Sequence, residues 1–253
     1  MFDFRDKVAL VTGSSRGIGR VVAHMLAESG AKVAIHYVKD RRAAEESLQL
    51  MGGEPHIIVQ GNMADPDAVR DMVDAVVARF GRIDILINNA GVYVEHPIAE
   101  VSYEEWQASW SMVIGTNLIG AANASYCAAR KMIEQGGGRI VNISSRGAFR
   151  GEPQGPAYGA SKGGMNSMTG SMAKYLAPYK IYVAAVAPGF VQTDMSRSHL
   201  QGESGRQIRA QSPLNRVACP EDVAYAALFL ASEGSEFSTG TIIDVNGASY
   251  LRQ

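Results

Sequence analysis

Cysteine is almost missing from the 253 residues: only Cys127 and Cys219 occur. Their spacing fits neither a redox CxxC pair nor a zinc ligand pair, so a disulfide scaffold and thiolate metal chemistry are set aside. Histidine is as sparse. His24, His36, His56, His96 and His199 are scattered without ligand spacing, and no metal is expected. No apolar run reaches the ~18 residues that a membrane-crossing helix needs. Residues 1–7 (MFDFRDK) are charged and lead straight into an apolar run, unlike a secretory leader. A reduced, cytoplasmic protein without a membrane is expected. Excess charge of one sign is absent too. A net charge of −1 argues against nucleic acid as a partner.

What is present is an ordinary globular composition, 46% apolar and 19% charged, with 27 glycines concentrated at turns. Short apolar runs alternate with helical stretches along the whole chain. Val8–Thr12, Lys32–Tyr37, His56–Gln60, Ile83–Ile87, Arg139–Ser144, Tyr182–Ala187 and Thr241–Val245 read as seven strands. The helices between them start on recognisable signals. Asp65-Pro66 is an N-cap followed by proline at the first helical position, and Ser102-Tyr103-Glu104-Glu105 is a capping box. A long helical region from Tyr103 to Glu134 contains Gly115, Asn117 and Gly120, which predicts a kink near Asn117. Residues 147–155 read as a loop. With no linker or repeat, residues 1–253 are expected to form one α/β domain, doubly wound and Rossmann-like. Its parallel seven-stranded sheet would carry helices on both faces. Residues 193–212 are polar and follow a strand end, as a lid over substrate would.

The first strand runs into Gly13-Ser14-Ser15-Arg16-Gly17-Ile18-Gly19 and then a helix from about Arg20. A strand, a glycine-rich turn and a helix N-terminus form an anion site, because backbone N–H groups and the helix dipole converge there. The glycine spacing is neither GxGxxG nor a P-loop. The second strand ends His36-Tyr37-Val38-Lys39 with no carboxylate before Asp40. Arg16, Lys39, Arg41 and Arg42 surround that corner, which suits a 2′-phosphate and favours NADP(H) over NAD(H). The rival reading of Arg41 and Arg42 is an ordinary solvated helix start.

Tyr158 and Lys162 stand four apart in Pro156-Ala157-Tyr158-Gly159-Ala160-Ser161-Lys162, one turn from each other on one helix face. A fixed ammonium beside a phenol is expected to pull its pKa down and make it an acid–base group near neutrality.

These features together resemble the short-chain dehydrogenase/reductase family, from Lys7 to Gly247. The glycine turn, Asn88-Asn89-Ala90-Gly91, Asn117, the YxxxK pair and Pro188-Gly189 with Thr193 occur in the family's order. Ser145 lies thirteen residues before Tyr158, at the family's usual serine spacing; Ser144 is one residue off it. The resemblance implies a catalytic set of Asn117, Ser145, Tyr158 and Lys162. Ser145 would hold the substrate carbonyl, Tyr158 would protonate it, Lys162 would tune Tyr158 and hold the ribose, and Asn117 would position a relaying water. It implies cofactor contacts at Gly13, Ser15, Arg16, Gly17, Ile18, Gly19, Tyr37 and Lys39. Asn62 and Met63 would lie near the adenine, and Asn89, Ala90, Gly91, Pro188, Gly189, Val191 and Thr193 beside the nicotinamide half. Within the family, Arg139–Ser145 and Ala187–Met195 are most similar to 3-oxoacyl-acyl-carrier-protein reductases. The substrate implied is a small carbonyl or alcohol, including an acyl thioester, and the assembly a homotetramer or homodimer. The carrier-docking arginines of that group would fall near Gln135-Gly136 and at Tyr179, where this sequence has none. Arg146 and Arg150 flank the serine, where they face an anionic substrate or solvent. Relatives that act on sugars or aromatic ketones share the same machinery.

Two other classes share single features with this chain. Gly159-Ala160-Ser161-Lys162-Gly163 fits the nucleophile elbow of α/β-hydrolases, but a loop precedes it where that motif needs a strand. A nucleotide-binding sensor without turnover would carry a broken Ser/Tyr/Lys set, and here the set is intact.

Overall fold

The computed structural model describes residues 2–53 and 55–252. Seven strands form one parallel sheet: β1 (Val8–Val11), β2 (Lys32–Tyr37), β3 (Ile57–Gln60), β4 (Ile85–Asn88), β5 (Gly138–Ile143), β6 (Ile181–Pro188) and β7 (Ile242–Val245), in the order β3-β2-β1-β4-β5-β6-β7. The order reverses between β1 and β4, which pair directly through Ala9 with Ile85 and Val11 with Ile87. Such a reversal opens a crevice beyond the strands' carboxyl ends, where ligands of open α/β sheets bind.

The alternation of side chains along β1 divides the core. Ala9 and Val11 face one cluster, with Val22 and Leu26 of α1 (Gly17–Glu28) and Val223 and Leu228 of α9 (Pro220–Ala231). Val8 and Leu10 face the other, with Val69 and Met72 of α3 (Pro66–Phe80), Ala124 and Ala128 of α5 (Gly120–Gln135) and Leu176 of α7 (Pro156–Leu176). The inner strands β1, β2, β4, β5 and β6 are buried on both faces because helices cover both, while the edge strands β3 and β7 are partly exposed. The remaining helices are α2 (Arg41–Gln49), α4 (Tyr103–Ile114), α6 (Gly147–Arg150) and α8 (Gly202–Ala210). Among the described residues no helix is long and apolar enough to cross a membrane.

The helix starts follow their caps. Asp65 accepts from the N–H groups of Asp67 (3.0 Å) and Ala68 (3.3 Å), and Ser102 and Glu105 close a reciprocal box. Strand ends shift by one or two residues, and three larger differences separate the structure from the sequence reading. Helix α1 begins at Gly17 rather than Arg20, since glycines are tolerated where the dipole end meets the turn. Residues 147–150, expected as loop, form the short α6. At the position of the expected kink between α4 and α5 the structure has a π-helical turn, Gly115–Ile119, with Asn117 buried inside it.

Polar groups join β4 and β5 to each other and to α5 and α7. Asn88 Nδ2 donates to Ser125 Oγ and to Asn142 Oδ1, both at 2.8 Å, and Asn142 Nδ2 donates to Thr169 Oγ1 at 2.8 Å. All four residues are fully buried or nearly so. Asn88→Ala strands two buried acceptors, so it is expected to lower stability by about 2–3 kcal/mol. The midpoint of a urea titration checks this; an unchanged midpoint would show that the chain of amides is ornamental.

Candidate active site

The glycine turn is held from behind. Gly13 N–H donates to His36 Nδ1 (2.8 Å), Ser14 N–H donates to the His36 carbonyl (3.0 Å), and His36 Nε2 meets the Gly61 carbonyl (2.8 Å). Those partners fix His36 as the neutral ring with its hydrogen on Nε2. Burial also holds its pKa below the usual value. The Ser15 carbonyl is drawn away from the crevice by Arg20 Nε (2.9 Å) and Ser47 Oγ (3.1 Å). Sequence reasoning missed this support, because nothing in the spacing says that β2 aims His36 at the turn.

Two glycines are required here. Gly13 has φ +63°, and a Cβ on it would come within 2.8 Å of Ala90 Cα. A Cβ on Gly19 would strike Asn89 Nδ2 and the Gly13 carbonyl. Asn89 locks this approach by donating from Nδ2 to the carbonyls of Thr12 (2.9 Å) and Gly13 (3.0 Å). Helix α1 has no side-chain cap, so its first-turn N–H groups at Gly17, Ile18 and Gly19 point at the crevice without a side-chain acceptor. A pyrophosphate fits that cradle. Across the crevice, Thr193 Cγ2 lies 3.6 Å from where a Gly17 Cβ would stand. Pro188 ends β6, the Gly189 N–H donates to the Val245 carbonyl (3.0 Å), and Val191 is buried beside them.

At the adenosine end, Tyr37 is buried at the end of β2, with its hydroxyl 3.4 Å from Gln60 Oε1. Arg16 and Lys39 are exposed and form no ion pair among the described residues. Arg41 and Arg42 are engaged elsewhere: they bond Glu45 (2.8 Å) and Glu46 (3.0 Å) one turn along α2. Those exposed pairs are what a solvated helix start shows, although Arg41 also feels Tyr37 at the corner, and Arg16 and Lys39 are its cations without an ion pair among the described residues. Asn62 is exposed and turns its Oδ1 to the Ala64 N–H (3.1 Å), while Met63 is buried.

Tyr158 and Lys162 both lie in the first two turns of α7. Lys162 Nζ donates to the Ile143 carbonyl at 2.7 Å and sits 5.8 Å from the Tyr158 ring centre. Burial pushes its pKa down to about 8. Ser145 Oγ accepts from the Gly147 N–H (3.0 Å) and lies near enough to the Tyr158 hydroxyl to favour its ionised form. Ser144 points the other way, to Asn166 Oδ1 at 2.6 Å. Of the two serines, only Ser145 joins the site.

The expected fall in the Tyr158 pKa is not what the site gives. Burial pushes it up to about 12, Ser145 opposes, and Glu152 and Tyr93 push further up. Desolvation is the largest influence on it, and Lys162 directs its ammonium to the Ile143 carbonyl. Some of Tyr158's surface stays exposed, so this upward push belongs to a site open to ligand.

Asn117 clamps the end of the β4 loop. Its Oδ1 accepts from the Val92 N–H (2.8 Å), and its Nδ2 donates to the Val92 carbonyl (2.9 Å) and Ser161 Oγ (3.2 Å). Asn117 Oδ1 (3.4 Å) and Lys162 Nζ (3.7 Å) both border the point where a Cβ on Gly91 would stand. Ser161 donates to the Tyr158 carbonyl (2.7 Å) inside α7, which removes it as a hydrolase nucleophile. Tyr93, edge-on to Tyr158 at 5.3 Å, was not legible in the sequence, since only the loop's path brings it there.

A family model described as enoyl-(acyl carrier protein) reductase matches residues 13–248. With the sheet order and the site above, this makes the chain an oxidoreductase: it belongs to the short-chain dehydrogenase/reductase family. It is 40% identical over 247 residues to the 3-oxoacyl-acyl-carrier-protein reductase FabG of Staphylococcus aureus, across 97% of this chain and 98% of that one. The FabG of Aquifex aeolicus is 39% identical over 249 residues, across 97% and 98%. A short-chain dehydrogenase from Burkholderia cenocepacia, solved in complex with NADP, superposes with a TM-score of 0.89 at 33% identity, covering 97% of this chain and 98% of that one.

Proposed function

We propose that the protein is an NADP(H)-dependent reductase of a carbonyl, a 3-oxoacyl thioester or a similar ketone, through a Ser145/Tyr158/Lys162/Asn117 proton relay. The observation that carries this is the convergence of Ser145, Tyr158 and Lys162 beside the Gly13–Gly19 cradle at the strand-order reversal. NADPH, when bound, supplies the hydride. Gly13, Ser15, Arg16, Gly17, Ile18 and Gly19 hold the pyrophosphate, and Arg16 and Lys39 with Tyr37 meet the adenosine end. Asn62 and Met63 flank the adenine. Asn89, Ala90, Gly91, Pro188, Gly189, Val191 and Thr193 line the nicotinamide half.

Ser145 orients the carbonyl oxygen and Tyr158 donates its proton there. A hydroxyl with a pKa near 12 is fully protonated at neutral pH, the state that reduction needs. Lys162, held at the Ile143 carbonyl, keeps one face toward Gly91 for a ribose hydroxyl and for proton resupply. Asn117 has spent both Nδ2 hydrogens, so its side chain positions the Gly91-Val92 backbone, and the remaining Oδ1 lone pair is what it offers a relaying water. Residues 193–212, with α8 inside them, act as the lid. Exposed Tyr103, Met112, Ile119 and Tyr126 on the α4–α5 run and Tyr175 on α7 support assembly into a dimer or tetramer. A relative acting on a sugar or aromatic ketone would use the same relay, which makes the thioester the first substrate to try.

Side-by-side calorimetric titration with NADPH and NADH is expected to give at least about tenfold tighter NADPH binding, one or two charge-assisted bonds to a 2′-phosphate. Acetoacetyl thioester added to the NADPH complex should then oxidise it. Equal binding would overturn the assignment of Arg16 and Lys39; binding without oxidation of any ketone would favour a sensor.

A further inference from the structure

His96 is fully buried, and no step of the proposed reaction uses it. Both of its ring nitrogens are engaged. Nδ1 faces the Val94 carbonyl at 2.9 Å, and Nε2 faces the Ala157 N–H at 3.3 Å. A carbonyl only accepts and an N–H only donates, so the ring is neutral, with its hydrogen on Nδ1 and its lone pair on Nε2. This is the opposite tautomer to that of His36. Trp106 of α4 backs the ring edge-on at 5.3 Å, and the His96 N–H donates to the Gln154 carbonyl at 2.8 Å. The residue thus ties the loop after β4 to the segment entering α7 at two points.

The second point falls where α7 has no other acceptor. A helix start leaves its first N–H groups without intrahelical partners. Gly155, at the N-cap, has no side chain to offer them, and Pro156 has no N–H. The N–H groups of Tyr158 (2.9 Å) and Gly159 (3.4 Å) reach back to the Gly155 carbonyl. Ala157 is left, and it is fully buried. Among the described residues its N–H has one acceptor, His96 Nε2, from 61 residues away. Ala157 immediately precedes Tyr158, so the turn that carries Tyr158 is held from two sides. Lys162 Nζ anchors it to the Ile143 carbonyl of β5 at 2.7 Å, and His96 anchors it to the loop after β4, whose Tyr93 lies edge-on to the Tyr158 ring.

We propose that His96 is a positioning residue for the reduction: its Nε2 caps α7 from outside the helix and thereby sets Tyr158 beside Ser145. This rests on the carbonyl-reductase reading above and deepens it. Without the acceptor a buried N–H is left unpaired, a state the first turn relieves by swinging the Ala157 peptide toward water and carrying Tyr158 with it. A displacement of about 1 Å from reacting geometry costs rate on the order of 100-fold. The pyrophosphate cradle at the start of α1 shares none of these bonds.

The test compares His96→Gln, His96→Asn and His96→Leu in the full chain, with NADPH and acetoacetyl thioester. A Gln amide reaches the position of Nε2 and accepts from Ala157, an Asn amide stops near Nδ1, and Leu has no acceptor. In His96→Asn and His96→Leu kcat is expected to fall about 10- to 100-fold while the Kd for NADPH changes less than about threefold, and His96→Gln should keep kcat within about threefold of the wild type. Hydrogen exchange read by mass spectrometry should find the start of α7 protected in the wild type and His96→Gln, and opened in the other two. Equal kcat in His96→Gln and His96→Asn would overturn the proposal, and that comparison does not need the apolar variant to fold. Parallel losses of kcat, NADPH affinity and melting temperature in all three variants would mean packing alone and would overturn it too. If the wild type binds NADPH and reduces no ketone, the reductase reading falls and the positioning role with it, whereas the exchange comparison still reports whether His96 caps α7.

Discussion

Tyr158→Phe is expected to lower ketone reduction by about 10³-fold while NADPH binds as before, the loss typical of removing a positioned general acid. The hydroxyl is the only atom removed. It lies beside Ser145 and is pushed up to a pKa of about 12 by burial, so in the wild type it holds its proton through the whole neutral range. The ring stays packed edge-on against Tyr93, and the variant should keep its fold. The pH dependence has a definite sign. Lys162, pushed down to about 8, is an ammonium below that pH and loses its charge above it. Values of kcat/KM for NADPH, which report the free enzyme, should therefore fall as pH rises through about 8. Stopped-flow absorbance at the nicotinamide band checks both effects. Normal turnover in Tyr158→Phe would remove the tyrosine from the chemistry altogether.

Gly13→Val is expected to abolish measurable NADPH binding. The new side chain meets two obstacles. The backbone has φ +63°, which costs a branched residue about 1–2 kcal/mol. Its Cβ would also lie 2.8 Å from Ala90 Cα, and overpacking against backbone costs about 1–3 kcal/mol more. Relief requires moving the turn away from the β4 loop. That motion breaks the Gly13 N–H bond to His36 and spreads the cradle. Gly81→Ala is the control: its φ is +78° with nothing within 4 Å of the new Cβ, so it bears the conformational cost alone. Gly81→Ala should lose a little stability and no cofactor affinity, whereas Gly13→Val should lose both. Calorimetric titration with a thermal melt separates the two; equal NADPH affinity in both variants would show that the close approach of turn and loop is irrelevant.

The parts of the fold written in local chemistry were readable directly. Asp65-Pro66 and Ser102-x-x-Glu105 name their own helix starts, and the seven apolar runs are strands because a sheet covered on both faces needs no alternation. Tyr158 and Lys162 were legible because four residues is one helical turn. What spacing cannot carry is surroundings. It put an ammonium near a phenol and implied a lowered pKa, yet burial decides the sign, and the charges of Glu152 and Tyr93, arriving from other loops, push the same way. Arg41 and Arg42 pair with Glu45 and Glu46 one turn along α2, a pairing that i,i+4 spacing already allowed. His36 had no motif at all. Its role comes from strand register, which sets it beside Gly61 and beneath Gly13.

The reversed strand order also governs when the site can come into being. Its floor is the β1–β4 pairing, in which Ala9 meets Ile85, and its walls follow β5 and β6. A growing chain that has released β1, β2 and β3 owns the complete glycine turn and still has nothing opposite it. Pairings this distant close late, since a long loop must be ordered before any contact rewards it. A cofactor that spans the crevice therefore binds only chains past that step and pulls the folding equilibrium after it by mass action. Proteolytic resistance during refolding should thus rise with NADPH concentration in a single late phase, leaving the earliest collapsed species equally digestible with or without it.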